Sequence, residues 1–319
     1  MRHASKLAGV LIGILLVAVV FAPVPGETVW LSRLHDFAHA PVFGGIAVLL
    51  LVALRRQRRF AALGRAGRYA LAFAGAAALG LLTELAQIPA GGDASWSDAA
   101  HDLIGAVAFL LAFSVFDARN GLRMQRTWVR VSTLLVALPL FAYLVTPVAR
   151  SVVKYHERRS TFPVIADFSH GLDSYFVWPN RVLVEFAPLP DELSASPGES
   201  AARVRFLPQQ YSGVNFHEPW PDWRGYAALA IELANPTDRE LELVVRVHDA
   251  SHNNDLNDRY NQGIKLPART RETFRFPLEE IRRAPQGRAM DMQRIRGVVV
   301  FRIDDSSSDE MYLQRVWLE

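Results

Sequence analysis

Two hydrophobic patterns divide this chain, and they change over near residue 160. Before that point Ala, Leu, Val and Phe come in long runs broken by arginine clusters; after it, apolar and polar residues alternate in short blocks. Residues 7–24 carry no charge between Lys6 and Glu27, which is enough to cross a bilayer that needs about 20 mostly apolar residues. Arg2 and Lys6 ahead of this run also suit a signal peptide. An uncleaved helix is the better reading, because Ala22 is followed by Pro23 and Pro25 and further spans come after it. Those spans are expected at about 37–54, 69–87, 98–116 and 129–148. Residues 150–161 form a charged connector. From residue 162 the period is two, with strands expected at 164–168, 182–186, 202–206, 227–233, 241–248, 273–276, 297–303 and 312–318, and a short helix at 278–283. Turn signals such as Asn235-Pro236, Asn253-Asn254 and Ser196-Pro197-Gly198 separate them. The expected architecture is multi-domain α + β: a five-helix transmembrane bundle over 1–149, then an all-β sandwich of jelly-roll type over 162–319.

Charge agrees with this division. Residues 1–150 hold 14 Lys and Arg against 7 Asp and Glu, whereas 151–319 hold 21 against 25. The arginines flank apolar runs, which fits membrane orientation; no nucleic-acid motif is visible. Arg2 and Lys6, six arginines after the second span and four after the fourth fall on one side, which is therefore cytoplasmic. Arg33 falls on the other side, as do Arg150, Lys154, Arg158 and Arg159 at the start of the large second domain. The reading is five spans, N-terminus cytoplasmic, sandwich outside the inner membrane. The absence of cysteine excludes disulfides, thiolate metal sites and a cysteine nucleophile.

This orientation puts the unusual polar groups at one depth, near the outer leaflet. Asp36 and His39 open the second span, Glu84 and Gln87 close the third, and Asp98 and Asp102 open the fourth. Spacings of three, four and seven give each set one helix face. Gly105, on the Asp98/Asp102 face, lets a neighbouring helix come close. Ionisable groups beside hydrocarbon are costly, so the three faces should turn toward each other.

The order Asp36-x-x-His39, Glu84-x-x-Gln87, then Ser95-x-x-Asp98-x-x-x-Asp102-x-x-Gly105 resembles the VanZ-like membrane proteins over about residues 30–116. Where that family has Asn this chain has Asp102, and where it has Arg this chain has Gly92. The resemblance implies a bacterial envelope protein, in a family associated with low-level teicoplanin resistance, and no defined reaction. Three roles compete for the cluster: a polar knot fixing helix register, a site for a lipid-linked or head-group ligand, or catalysis. In the last, His39 is the base, oriented by Asp36 or Glu84, and a buried carboxyl is the acid, with His39, Glu84 and Asp98 as the candidate site residues. A metal bound by His39, Glu84, Asp98 and Asp102 is conceivable, but a single histidine argues against zinc, and no metal or cofactor is expected in the bundle.

In the second domain, Asp222-Trp223-Arg224-Gly225-Tyr226, the run 229–235, the strand 241–249 and Asp258-Arg259-Tyr260-Asn261 resemble a galactose-binding-like, carbohydrate-binding jelly roll, continued by 276–281, 290–295 and 298–301 and closed by 311–318. The resemblance implies exposed aromatics on which sugar rings stack; Trp178, Tyr211, Trp220, Trp223 and Tyr260 are the candidates. Trp223 and Trp317 also suit core anchors, which for any single tryptophan here is the better reading. His217, Asp249, His252, Asn254, Asp255, Asn257 and Asp258 gather in loops, where Asn and Asp favour turns; a structural calcium is conceivable there, without a recognisable loop spacing. No carboxylate pair for glycoside hydrolysis stands out. The expected function is a membrane-held binding or envelope-organising protein with a bilayer and an envelope glycan or lipid-linked saccharide as partners. The alternative is a membrane-embedded enzyme acting on a lipid-linked saccharide. Transport fits less well, because the polar groups sit at one end of the spans.

Overall fold

The computed structural model describes residues 12–14, 28–87, 96–117, 126–172, 175–304 and 309–319. By its contacts the chain divides into two compact units, Met1–Val153 and Lys154–Glu319. Four long helices are described: α1 (Val29–Arg56), α2 (Arg65–Gln87), α3 (Trp96–Phe116) and α4 (Thr127–Thr161). All four are long and apolar enough to cross a membrane. They correspond to the second to fifth expected spans. The first, 7–24, lies outside the described residues except for a helical stretch at 12–14.

Two helices run past their expected ends. The Thr28 hydroxyl caps α1 by accepting the Leu31 N–H at 3.3 Å, so α1 starts eight residues early and takes in Ser32, Arg33 and Asp36. Residues 150–161 continue α4 to its end. Within the first unit, α1 packs against α3 through small residues. A Cβ on Gly105 would lie 2.3 Å from the Ala40 carbonyl oxygen, and one on Gly44 would lie 2.4 Å from the Phe109 ring. Phe43, Ile46, Ala47, Leu51, Ala72 and Ala106 form the contact core, while Leu81, Leu82, Leu85, Leu135 and Leu138 face outward. Apolar outside with polar groups inside is the arrangement a bilayer imposes.

The second unit is two antiparallel sheets. One has the order β3-β4-β11-β6-β9, with β1 (Val164–Asp167) paired to the far end of β11 (Glu310–Leu318). The strands between are β3 (Val182–Pro188), β4 (Ser200–Phe206), β6 (Ala228–Ala234) and β9 (Arg271–Pro277). The other sheet has the order β2-β5-β10-β7-β8: β2 (Val177–Asn180), β5 (Gly213–His217), β10 (Ile295–Phe301), β7 (Leu241–Asp249) and β8 (Tyr260–Leu266). A short helix, α5 (Leu278–Arg283), follows β9. The sandwich expectation holds. The strands absent from the sequence reading, β2, β5 and β8, all belong to the five-stranded sheet. They carry Pro179, Gly213 and Gly263, which blur the alternation.

The core fills the space between the sheets. On β7, Leu243, Val245 and Val247 point in, leaving Glu242, Val244, Arg246 and His248 on the opposite face. Leu229, Ile231 and Leu233 of β6 and Leu313 and Val316 of β11 meet them. Asn235, fully buried after β6, ties the turn: its amide donates to the carbonyls of Arg239, Leu266 and Pro267 at 2.8, 3.1 and 3.0 Å.

Candidate functional site

Two places bring chemistry-bearing side chains together. In the helical unit, α1 supplies His39, α2 supplies Glu84 and α3 supplies Asp102, at 1 %, 6 % and 2 % exposure. The His39 Nδ1 and Asp102 Oδ1 atoms are 3.0 Å apart. The closeness comes from two glycines: Gly105 admits the α1 backbone, and a Cβ on Gly80 of α2 would lie 2.8 Å from Asp102 Oδ2. His39 Nε2 and Asp102 Oδ2 are buried with no hydrogen-bond partner among the described residues. One donor atom each from His39, Glu84 and Asp102 fall within 4.8 Å of one another. One nitrogen and two oxygens is a donor set for an oxygen-preferring divalent cation.

The other polar positions of the bundle sit around this core. Asp36, half-buried, pairs with Arg33 at 3.4 Å, and because α1 begins at Val29 it lies two turns inside the helix rather than at its start. Asp98 is half-buried in the first turn of α3 and acts electrostatically on His39 and Asp36. Gln87 is the last residue of α2; its side chain lies outside the described residues, as do Gly92 and Ser95. At the opposite end of α1, Arg55 binds Asp117 at 2.6 Å with both side chains largely buried.

The second place is the outward face of the five-stranded sheet. Strand register sets one row across it: Trp178 on β2 opposite Asn215 on β5, then Val299 on β10, Arg246 on β7 and Asn261 on β8. Two residues along, the same face carries His217, Gly297 and His248. The Trp178 ring is 43 % exposed and lies 3.7 Å, centroid to centroid, from His217. Tyr211, 54 % exposed, precedes β5, and its ring faces Phe301 of β10 at 6.2 Å. Gly297 makes room for His248, whose ring a Cβ there would meet at 2.5 Å. Next to the row, Glu242, Val244, Gly263, Lys265, Ile303 and Asp304 line a groove of about 610 Å³.

Burial and neighbouring cations set the protonation of this face. Burial, with the charges of Arg246, His252 and His217, pushes His248 down to about 3, so the ring is neutral. His252 Nδ1 lies 2.9 Å from the Asp258 carbonyl, and its Nε2 lies 3.2 Å from Arg246 Nη2. Nδ1–H therefore donates to the carbonyl, and Nε2 accepts from the guanidinium. Arg288 spans Asp249 and Asp258 at 2.6 and 2.5 Å and holds Asp258 at about 2. The loop acids expected to gather here are thus used to fasten the loop.

Of the five aromatic candidates, Trp178 and Tyr211 are open to solvent. Trp223 is a correction: it is fully buried, its Nε1–H donating to the Trp220 carbonyl at 2.8 Å. Tyr260 is another, because period two turns it inward onto Phe276 while Arg259 and Asn261 on either side turn out. Trp220 is half-buried, packed against Phe162 with the Arg159 guanidinium over its ring. Arg259 and Asn261 entered the sequence reading only as part of the jelly-roll resemblance, not as binding candidates, and Arg246, His248 and Asn215 escaped it. The signal for two of them was present in β7, where Arg and His interrupt a valine strand at alternate positions.

No family model matches the chain, and no curated protein matches it. Solved structures do. An exo-β-agarase is 10 % identical at a TM-score of 0.41, covering 49 % of this chain and 25 % of its own. A family 11 carbohydrate-binding module from Clostridium thermocellum, in complex with a β-1,3-1,4-mixed-linked tetrasaccharide, is 13 % identical at a TM-score of 0.37, covering 48 % of this chain and 92 % of its own. The CBM22-1 xylan-binding domain of Paenibacillus barcinonensis Xyn10C is 7 % identical at 0.34, covering 49 % and 94 %. The chain spans a quarter of the agarase's length.

Proposed function

We propose that this chain is a multi-pass bacterial inner-membrane protein that holds a saccharide-binding sandwich on the outer side of the membrane, acting as a binding or organising protein of the cell envelope. The observation that carries the reading is the outward face of the five-stranded sheet. There, exposed Trp178 stands in line with Asn215, Arg246 and Asn261, and exposed Tyr211 lies just before β5. Aromatic faces beside amide and guanidinium groups suit sugar rings, whose apolar faces stack while their hydroxyls need hydrogen bonds. The resemblance of residues 30–116 to VanZ-like proteins and the distribution of arginine between loops support the membrane placement. The test is titration of the full-length protein in detergent with an oligosaccharide panel. Trp178→Ala weakens binding about tenfold, the scale of one stacking contact, and leaves melting unchanged. Equal affinity for the variant and the parent protein refutes the reading.

A second reading is favoured by the buried His39–Asp102–Glu84 cluster: a membrane-embedded enzyme acting on a lipid-linked saccharide, with His39 as base and Asp102 orienting it. The same three side chains could hold a divalent cation. Its test is Asp102→Asn in full-length protein, scored for turnover of a polyprenyl-linked disaccharide against melting temperature. A variant that is folded and inactive favours the enzyme; one that is folded and fully active rules it out.

A further inference from the structure

The arginines of the sandwich are mostly neutralised by its own acids. Arg203 and Arg205 share Glu185, Arg271 is held by Glu199 and Glu232, and Arg302 by Asp304 and Asp309. Arg246 and Arg259 differ. Both are half-buried on the outward face of the five-stranded sheet, both have a buried Nε–H with no acceptor, and neither is paired with a carboxylate among the described residues. Asp249 and Asp258, the acids of the adjoining loop, are already engaged by Arg288. Burial and the like charge of Arg259 draw Arg246 down to about 10, still well above neutral pH, so its guanidinium remains cationic. Two half-buried like charges without a counter-ion are an unfavourable arrangement in the free protein.

The same patch holds two further polar atoms without partners, Asn261 Oδ1 and His248 Nδ1. A bare inorganic anion accepts from the two arginines and leaves Asn261 Oδ1 unserved. A molecule bearing both an oxyanion and hydroxyl groups satisfies the whole set. Trp178 stands at the other end of the row, three inter-strand spacings from Arg246 and four from Asn261, about 14 and about 19 Å. We propose that the outward face of the five-stranded sheet binds a saccharide bearing an anionic substituent (carboxylate, sulfate or phosphate), with the oxyanion on Arg246 and Arg259 and a sugar ring on Trp178. This rests on the saccharide reading above and names its ligand class.

Isothermal titration of the full-length protein in detergent separates the two claims. Matched pairs supply the contrast: oligogalacturonate against its methyl ester, dextran sulfate against dextran, and sodium sulfate alone. The charged member of a pair binds at least tenfold more tightly than its neutral partner, the scale of a charge-assisted hydrogen bond. Arg259→Gln abolishes that difference, while Arg294→Gln, an exposed position, preserves it. Without ligand, Arg259→Gln melts no lower than the parent protein, because a like-charge repulsion has been removed. Neutral and charged members binding alike, with Trp178→Ala still disruptive, overturns the anionic inference and leaves the saccharide reading standing. Sodium sulfate competing as well as the sulfated saccharide overturns the saccharide part. Absence of binding to every member sinks both.

Discussion

His248 has its unprotonated form built into the sandwich. Its ring sits over Gly297, close enough to His252 for ring contact, with Arg246 and His217 adding positive charge and Asp249 opposing them. Its pKa is about 3 in the folded protein against 6.5 unfolded, so the unfolded chain takes up a proton first. The stability due to the neutral ring is complete above pH 6.5 and is lost as pH falls toward 3, at up to about 1.4 kcal/mol per pH unit. The acids Asp167, Asp249 and Asp258 are held below their ordinary values and add their own loss only below about pH 4. Denaturant unfolding of the full-length protein between pH 7.5 and 4.5 follows this slope, and His248→Gln flattens it. An identical slope in the variant refutes the assignment. The membrane cluster is a residue-scale feature of another kind, since His39 and Asp102 stood out in the sequence as charges among hydrocarbon. Trp223, in the loop before β6, and Tyr260, at the start of β8, did not reveal their burial, because residue type alone does not say which way a side chain points.

At the scale of elements, two glycines decide how closely the helices come. Gly105 lies against the Ala40 backbone, whereas Gly45, one residue from Gly44 on α1, has nothing within 4 Å of where a Cβ would be. Gly105→Ala therefore pushes α1 from α3 and parts His39 from Asp102, costing about 1–3 kcal/mol. Gly45→Ala is neutral or slightly stabilising. Melting of the two variants in detergent checks this, and equal melting temperatures would contradict the close packing. Gly105 was legible from its position seven residues after Asp98. The long helices were legible too, although their ends were not: the Thr28 cap and the charged final turns of α4 are polar sequence that a hydropathy reading assigns to loops. Among strands, the strongly alternating ones were found. β2, β5 and β8 were missed because short strands with Pro or Gly owe their place to neighbours already in the sheet.

At the scale of the whole molecule, the proposed topology, with the sandwich external and the N-terminus cytoplasmic, rests on the arginine distribution. A reporter fused after Glu319 tests this: alkaline phosphatase is active there and a cytoplasm-dependent fluorescent protein is dark. The opposite pattern reverses the topology and removes the sandwich from any envelope glycan. The division of labour in the chain also accounts for its charge asymmetry. The helical half has its cations clustered in the segments between apolar runs, and the sandwich half, with slightly more acid than base, pairs most of its arginines with its own carboxylates.

The register that aligns Trp178, Asn215, Val299, Arg246 and Asn261 across five strands makes the sheet a ruler. Its graduations are the fixed hydrogen-bonded spacings between strands, and backbone pairing keeps them from stretching to suit a shorter guest. At the proposed saccharide site, an oligosaccharide too short to reach from the tryptophan to the arginine gains only one end. One long enough gains both in a single encounter, the second contact at the high effective concentration that tethering supplies. Chain length itself thereby becomes a selected property, read by the spacing of strands rather than by any one side chain.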